Sequence, residues 1–167
     1  MAVPERLAWA VDTLDIQAGE RILEIGCGRG VAVELACDAG ATVTAIDRSA
    51  TMIEAARQRN AHHVAAGRAI LRTAALADAD LPEGAFGKVF AVNVNVFWTG
   101  VPARELDVIR RALAPGGTLF LFYEPPGAAR RDDLLGRLRL DGFATEVLTG
   151  GDTLLCVRAR PEGQVSA

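Results

Sequence analysis

Residues 21–30 read RILEIGCGRG, and the fold turns on how this stretch is understood. Ile22, Leu23 and Ile25 form a short apolar run that carries one acid, Glu24, and then breaks into Gly26, Gly28 and Gly30. A run of this length ending in glycines reads as a buried strand opening into a tight loop. Residues 31–39 continue as a helix, with Gly40 as its C-cap. Strand, glycine loop and helix make the unit from which the rest is built.

Working outward, the same alternation repeats. ATVTAID, residues 41–47, is a β-branched strand ending in Asp47, and Ser49 is placed to N-cap a helix over 50–60. A third strand is expected over 69–75. The polar stretch ADADLPEGAFG then leads into a fourth, KVFAVNVNVF, over 88–97. Pro102 opens a helix with Leu106, Ile109 and Leu113 on one face, and APGG stops it. GTLFLFY, residues 117–123, is nearly all apolar, as expected of a strand in a sheet covered on both faces. A helix over 130–140 uses Leu134, Leu135 and Leu138. FATEVLTG and TLLCVRAR, joined through Gly150, Gly151 and Asp152, read as an antiparallel hairpin. Upstream, Leu7, Val11 and Leu14 mark a helix in residues 1–18 that either packs on the core or covers the site. The expected fold class is α/β, a doubly wound, mostly parallel seven-stranded sheet with a C-terminal antiparallel hairpin.

Length and charge narrow the function classes. A chain of 167 residues suits one domain, read here as 1–160, with 161–167 as a flexible tail. Half the residues are apolar and the net charge is −3, so the chain is globular and lacks the basic surface that recruits nucleic acid. No apolar run approaches the roughly 20 residues needed to span a bilayer. The start also lacks a basic segment followed by an apolar one, so a cytoplasmic location without membrane association is expected. Cys27, Cys37 and Cys156 are widely spaced and form no CxxC, so neither a disulfide framework nor a metal site is indicated.

In a doubly wound sheet, the loops that follow strands share the edge where ligands bind. The glycine loop, Asp47 to Ser49, the segment after Ala75, the stretch from Asn93 to Pro102 and the end of the fifth strand all fall there. His62 and His63 follow a helix and belong to the opposite edge. Glycines let a ligand approach the backbone, and the helix N-terminus behind them offers unpaired N–H groups to an anion. Asp47 lies 21 residues after Gly26, at the end of the next strand, where a carboxylate can accept both hydroxyls of a ribose. Capping of the following helix is the alternative role for this acid.

A dinucleotide fingerprint would place glycine or alanine at position 31, and the chain has Val31. The pattern Glu24, Gly26, Gly28, Gly30 instead resembles motif I of the class I S-adenosylmethionine-dependent methyltransferases, and Asp47 falls where their ribose-binding acid lies. LPEGAFGKVFAVNVNVFW is similar to the segment through their fourth strand, and IRRALAPGGTLFLF to their helix, Pro-Gly-Gly turn and fifth strand. The likeness is close over 21–122, and the terminal hairpin matches the family's antiparallel sixth and seventh strands.

This resemblance implies the Rossmann-like methyltransferase fold, S-adenosyl-L-methionine as cofactor and a small-molecule methyl acceptor. It implies that Gly26, Cys27 and Gly28 line the methionine and ribose of the cofactor. Glu24 holds the loop or the cofactor's amino group, and Asp47 binds the ribose diol. Arg48 and Met52 border the adenine. Where many members carry an acid toward the adenine amino group this chain has Ala77, leaving Asp78, or backbone at Ala75 and Leu76, for that contact. The family's usual acid before the fourth strand is Gly87 here, a departure read as structural. Asn93 sits by the transferable methyl.

Asn93 and Asn95, two apart at a strand end, are expected to point the same way as buried amides, orienting cofactor or acceptor or satisfying loop backbone. Phe97 and Trp98 wall an acceptor pocket or pack in the core. Tyr123 and Glu124 supply a hydroxyl and a carboxylate at the end of the fifth strand, with Glu124 as the candidate general base. Two rival readings stand beside this one. A non-catalytic S-adenosylmethionine-binding module fits a chain with little beyond the core fold, and an NAD(P)-dependent oxidoreductase is disfavoured by Val31 and by the lack of a second domain. The small size also permits a homodimer that completes the pocket.

Overall fold

The computed structural model describes residues 2–163. In chain order the elements are α1 (Glu5–Leu14), β1 (Arg21–Ile25), α2 (Val31–Asp38), β2 (Thr42–Asp47), α3 (Ala50–Arg59), α4 (Ala61–Ala65) and β3 (Ala69–Thr73). A 3-10 turn (Leu76–Asp78) follows, then β4 (Phe86–Val92), α5 (Val96–Thr99), α6 (Ala103–Ala112), β5 (Leu113–Tyr123), α7 (Ala128–Arg137), β6 (Phe143–Gly150) and β7 (Leu154–Pro161). The strands form one seven-stranded sheet in the order β3-β2-β1-β4-β5-β7-β6. The first five run parallel, and β7 is antiparallel to both β5 and β6. This is the α/β, doubly wound sheet with a terminal hairpin that the strand and helix alternation implies.

Strand side chains alternate faces, and the core divides accordingly. Leu23, Val89, Leu119 and Leu155 face one layer with α6 and α7, through Leu106, Ile109 and Leu134. Ile22, Val43, Phe90 and Phe120 face the other, with Leu14 of α1, Val33 of α2 and Ile53 of α3. Burying both faces is why β1 and β4 read as apolar runs rather than alternating ones. Helix α1 packs against α2 and β4. Its Trp9 meets Phe122 edge-on at 5.6 Å and lies over Gly150, where a Cβ would sit 2.4 Å from the indole. The helix therefore docks on the sheet, and none of its residues lines the cavity described below.

Two local readings are corrected. The fourth strand stops at Val92 instead of running to residue 97, because Asn93 takes φ +55° and leaves the strand, and Asn95 then stands at the N-cap position of the short helix α5 without a side-chain cap. APGG does not lie outside the sheet. The register jumps from Phe86 opposite Leu113 to Lys88 opposite Thr118, so residues 114–117 are accommodated as a bulge within β5. The helix expected over 50–60 is present as α3, and the separate short helix α4 follows it directly from Asn60. The expected flexible tail, 161–167, lies largely outside the described residues; Pro161 itself closes β7. Among the described residues no helix is long and apolar enough to cross a membrane.

Candidate functional site

A cavity of about 610 Å³ opens at the C-terminal edge of β1, β2, β3 and β4, a size that fits a small organic ligand. Gly26, Asp47, Arg48, Leu76, Asn93 and Asn95, all expected at the site, line it. Asp47 is held there by two backbone donors. The Gly28 amide donates to its Oδ2 at 3.0 Å and the Ser49 amide to its Oδ1 at 2.9 Å. A carboxylate oxygen can accept two hydrogen bonds, and each oxygen of Asp47 takes one of these, which leaves both with a lone pair for a ligand. Ser49, not Asp47, caps α3, its Oγ accepting from the Met52 amide at 3.2 Å.

The glycines of the loop have separate reasons. Gly28 has φ +53°, and a Cβ there would meet nothing within 4 Å, so it keeps space open beside Asp47. Gly30, at φ +82°, is closed in: a Cβ would lie 2.7 Å from Asn60 Nδ2 and 2.8 Å from the Ala56 Cβ. Asn60 itself is buried at the foot of α3, and its Nδ2 donates to the Gly30 and Ala56 carbonyls at 3.0 Å each. The third glycine thus serves packing of α3 on the loop.

Glu24 lies beneath the loop at 2% exposure, and its Oε1 has no hydrogen-bond partner. Burial, and secondarily the charge of Asp47, push its carboxyl well above the ordinary range, favouring the neutral form. Cys27 is buried beside it, and burial followed by the charges of Glu24 and Asp47 raises its thiol to about 12, so it stays protonated and is no nucleophile.

The remaining expected residues do not converge on the cavity. Met52 is half-buried on α3 outside the lining. Asp78 turns outward and pairs with Arg104 at 3.0 Å. Phe97 is fully buried in the core, because α5 rather than a strand carries it inward. Trp98 donates from Nε1 to Asn95 Oδ1 at 3.2 Å. Asn93 and Asn95 both reach the cavity, but as exposed residues of a turn and a cap, not as buried amides of one strand face. The Tyr123 hydroxyl donates to the Val94 carbonyl at 2.9 Å, and burial holds its pKa well above the usual value; Glu124 is exposed. Neither lines the cavity.

Thr99 lines the cavity from within the stretch 93–102 expected at this edge, and Glu105 lines it from outside the expected segments. Glu105 stands in the first turn of α6, the helix that follows β4, and helix starts behind strands share the ligand edge. That placement was available from the sequence. The titratable side chains lining the cavity are Asp47, Arg48 and Glu105, with no histidine, cysteine or tyrosine among them. Such a site can bind and orient, and it offers no activated nucleophile.

The histidines lie away from this edge. His63 Nε2 is 2.8 Å from Asp38 Oδ1, and Arg68 Nε donates to its Nδ1 at 3.1 Å. Asp38, His62 and His63 offer ligand atoms within 4.8 Å of one another, but both ring nitrogens of His63 are already engaged, which makes the group a tie between α2 and the approach to β3.

A family model described as "Methyltransferase domain" matches residues 22–117. A protein-L-isoaspartate O-methyltransferase of Methylorubrum populi is 36% identical over 124 residues, covering 74% of this chain and 54% of that protein. The crystal structure of geranyl diphosphate C-methyltransferase from Streptomyces coelicolor A3(2), in complex with Mg2+, geranyl diphosphate and S-adenosyl-L-homocysteine, matches with a TM-score of 0.71 at 12% identity, over 92% of this chain and 80% of that one. An S-adenosylmethionine-dependent methyltransferase from Mesorhizobium loti matches with a TM-score of 0.66 at 22% identity, over 92% and 97% of the two chains. At these identities the structural likeness speaks for the fold. The chain spans about half the length of the curated relatives it matches first.

Proposed function

The chain belongs to the class I S-adenosylmethionine-dependent methyltransferases, whose cofactor is S-adenosylmethionine, and on that premise we propose that it transfers a methyl group to a small-molecule acceptor by in-line displacement. The observation that carries the reading is Asp47, pinned by the Gly28 and Ser49 amides with lone pairs left toward the cavity. A ribose diol satisfies those lone pairs. The open space at Gly28 admits the sugar and methionine, and the unpartnered Glu24 Oε1 beneath the loop leaves a polar group free for the loop or the amino end.

When bound, the cofactor supplies a methyl on a sulfonium, a carbon already activated toward displacement. The chain's own residues bind, orient and exclude water. Gly26 and Gly28 would lie against the methionine and ribose, Asp47 would hold the diol, and Arg48 and the backbone at Ala75 and Leu76 would border the adenine. Asn93, turned out of β4 by its φ of +55°, stands at the methyl end with Asn95. Val94 and Val96 give that end an apolar wall, which favours a small, weakly polar acceptor. Alignment supplies much of the acceleration in such a displacement, and a base is optional. This agrees with a lining in which Tyr123 and Glu124 take no part.

Residues 1–160 act as one cofactor-binding domain in this reading, placed in the cytoplasm in keeping with three free, buried thiols. A homodimer that closes the cavity remains part of the proposal. A non-catalytic cofactor-binding module is the second reading, favoured by the absence of acid–base side chains other than Asp47 and Glu105 in the lining. Calorimetry with S-adenosylmethionine, S-adenosylhomocysteine and NAD, followed by transfer of labelled methyl to small molecules and to isoaspartyl peptides, separates the readings. NAD binding without S-adenosylmethionine binding overturns the proposal, labelling of peptides alone overturns the small-molecule acceptor, and cofactor binding with no transfer supports the module.

A further inference from the structure

Glu105 lines the cavity from the first turn of α6, half-buried, its carboxylate making no hydrogen bond or ion pair with any described residue. The residue before it, Arg104, is turned to Asp78 at 3.0 Å, and α6 packs on the 3-10 turn that holds Asp78. Glu105 therefore enters the cavity beside the segment after β3.

The sheet order lays the strand ends side by side as β3, β2, β1 and β4. A nucleoside whose diol is held by Asp47 at the end of β2 has two directions open to it. Toward β1 and β4 lie the glycine loop and Asn93. Toward β3 lie Ala74, Ala75, Leu76 and Ala77, whose side chains carry no polar atom. A purine lodged against this wall buries the edge that carries its exocyclic amine, and an amine taken from water without an acceptor is costly. At this end Asp78 is 70% exposed and already paired, which leaves Glu105 as the free carboxylate facing the cavity.

We propose that the Glu105 carboxylate accepts a hydrogen bond from the exocyclic amino group of the cofactor's adenine, and so makes the site selective for adenine among purines. The inference rests on the cofactor reading above and deepens it. An acid in the first turn of a helix also stabilises that helix through its dipole, a role that affects melting but not the choice of base.

The test is calorimetry with S-adenosylhomocysteine and with its analogue in which the exocyclic amino group is replaced by hydrogen. Wild-type protein is expected to favour the amino compound by about tenfold, the lower end for a hydrogen bond to a charged acceptor. Glu105→Ala is expected to bind the amino compound about tenfold more weakly and the analogue unchanged, erasing the preference. Glu105→Gln, which keeps an acceptor oxygen, is expected to retain part of it. Equal weakening for both compounds assigns Glu105 to helix stability or packing and overturns the proposal, as does unchanged affinity for both. Wild-type protein that binds neither compound overturns the cofactor reading itself, and wild-type protein that binds both equally overturns only the role of Glu105.

Discussion

The Gly28 amide donates to Asp47 Oδ2 at 3.0 Å, which ties the glycine loop after β1 to the end of β2 as one unit. The acid thus both shapes the loop and presents lone pairs to the cavity. Asp47→Ala is expected to weaken S-adenosylhomocysteine binding by about 1.5–3 kcal/mol, the range for hydrogen bonds to a charged acceptor. Asp47→Asn, which keeps one acceptor oxygen, falls between. Wild-type affinity for the alanine variant in calorimetry would remove Asp47 from the ribose site.

Gly30→Ala places a methyl group 2.7 Å from Asn60 Nδ2 and 2.8 Å from the Ala56 Cβ, at φ +82°. Overpacking of this kind costs about 1–3 kcal/mol, read as a lower midpoint in chemical denaturation. Adding Asn60→Ala removes one of the two clashing atoms together with its hydrogen bonds to Gly30 and Ala56. The double variant is therefore expected to be more stable than the sum of the two single losses. Strict additivity would show that the loop moves away from α3 instead of pressing on it.

Glu24 sets a pH dependence. Its folded-state carboxyl is raised above the ordinary value of 4.5 by burial and by Asp47, so the folded protein binds a proton that the unfolded chain releases. The stability from this group is fully present below the unfolded value and is lost as pH rises toward the folded one. Glu24→Gln should remove that loss, leaving the variant closer to wild type at about pH 5 and relatively more stable at about pH 8. Denaturation at both values checks the sign. A variant that loses ground at the higher pH would mean that Glu24 is ionised in the folded protein.

Tyr123 and Glu124 separate packing from chemistry. Tyr123→Phe deletes the hydrogen bond to the Val94 carbonyl, at a cost of about 1 kcal/mol in stability, without moving the pH profile of methyl transfer. Glu124→Gln, at an exposed position outside the cavity lining, is expected to change the rate by less than about twofold. A fall of about a hundredfold in either variant would restore that residue as an acid or base.

The place of Gly26 and Asp47 at the cavity was legible because they sit along the chain where backbone rules apply. Glu24, the glycines and Asp47 occupy one strand, one loop and the end of the next strand, and parallel strands bring those ends together. The far side was less so. Asn93 and Asn95 were expected to share a strand face, yet a single residue with positive φ ends β4 and hands Phe97 to the core. An acid at a helix start has an ordinary explanation, and only its carboxylate's missing partner and its place at the cavity with residues 74–77 distinguish Glu105.

By itself the sequence determined the α/β layering, the terminal hairpin and the position of the glycine loop, since these follow from local periodicity and from residues that turns require. Tertiary structure alone decided the strand order, that Gly30 answers to α3 and Gly26 to Val94, that Tyr123 is bound to backbone, and that the Glu105 carboxylate has no partner there. Each of these depends on which distant segment stands within a few ångströms, and no periodicity along the chain encodes that distance. The stretch RILEIGCGRG reads as a strand opening into a glycine loop; in the fold Gly26 lies close to Val94, Gly28 donates to Asp47 and Gly30 packs on Asn60.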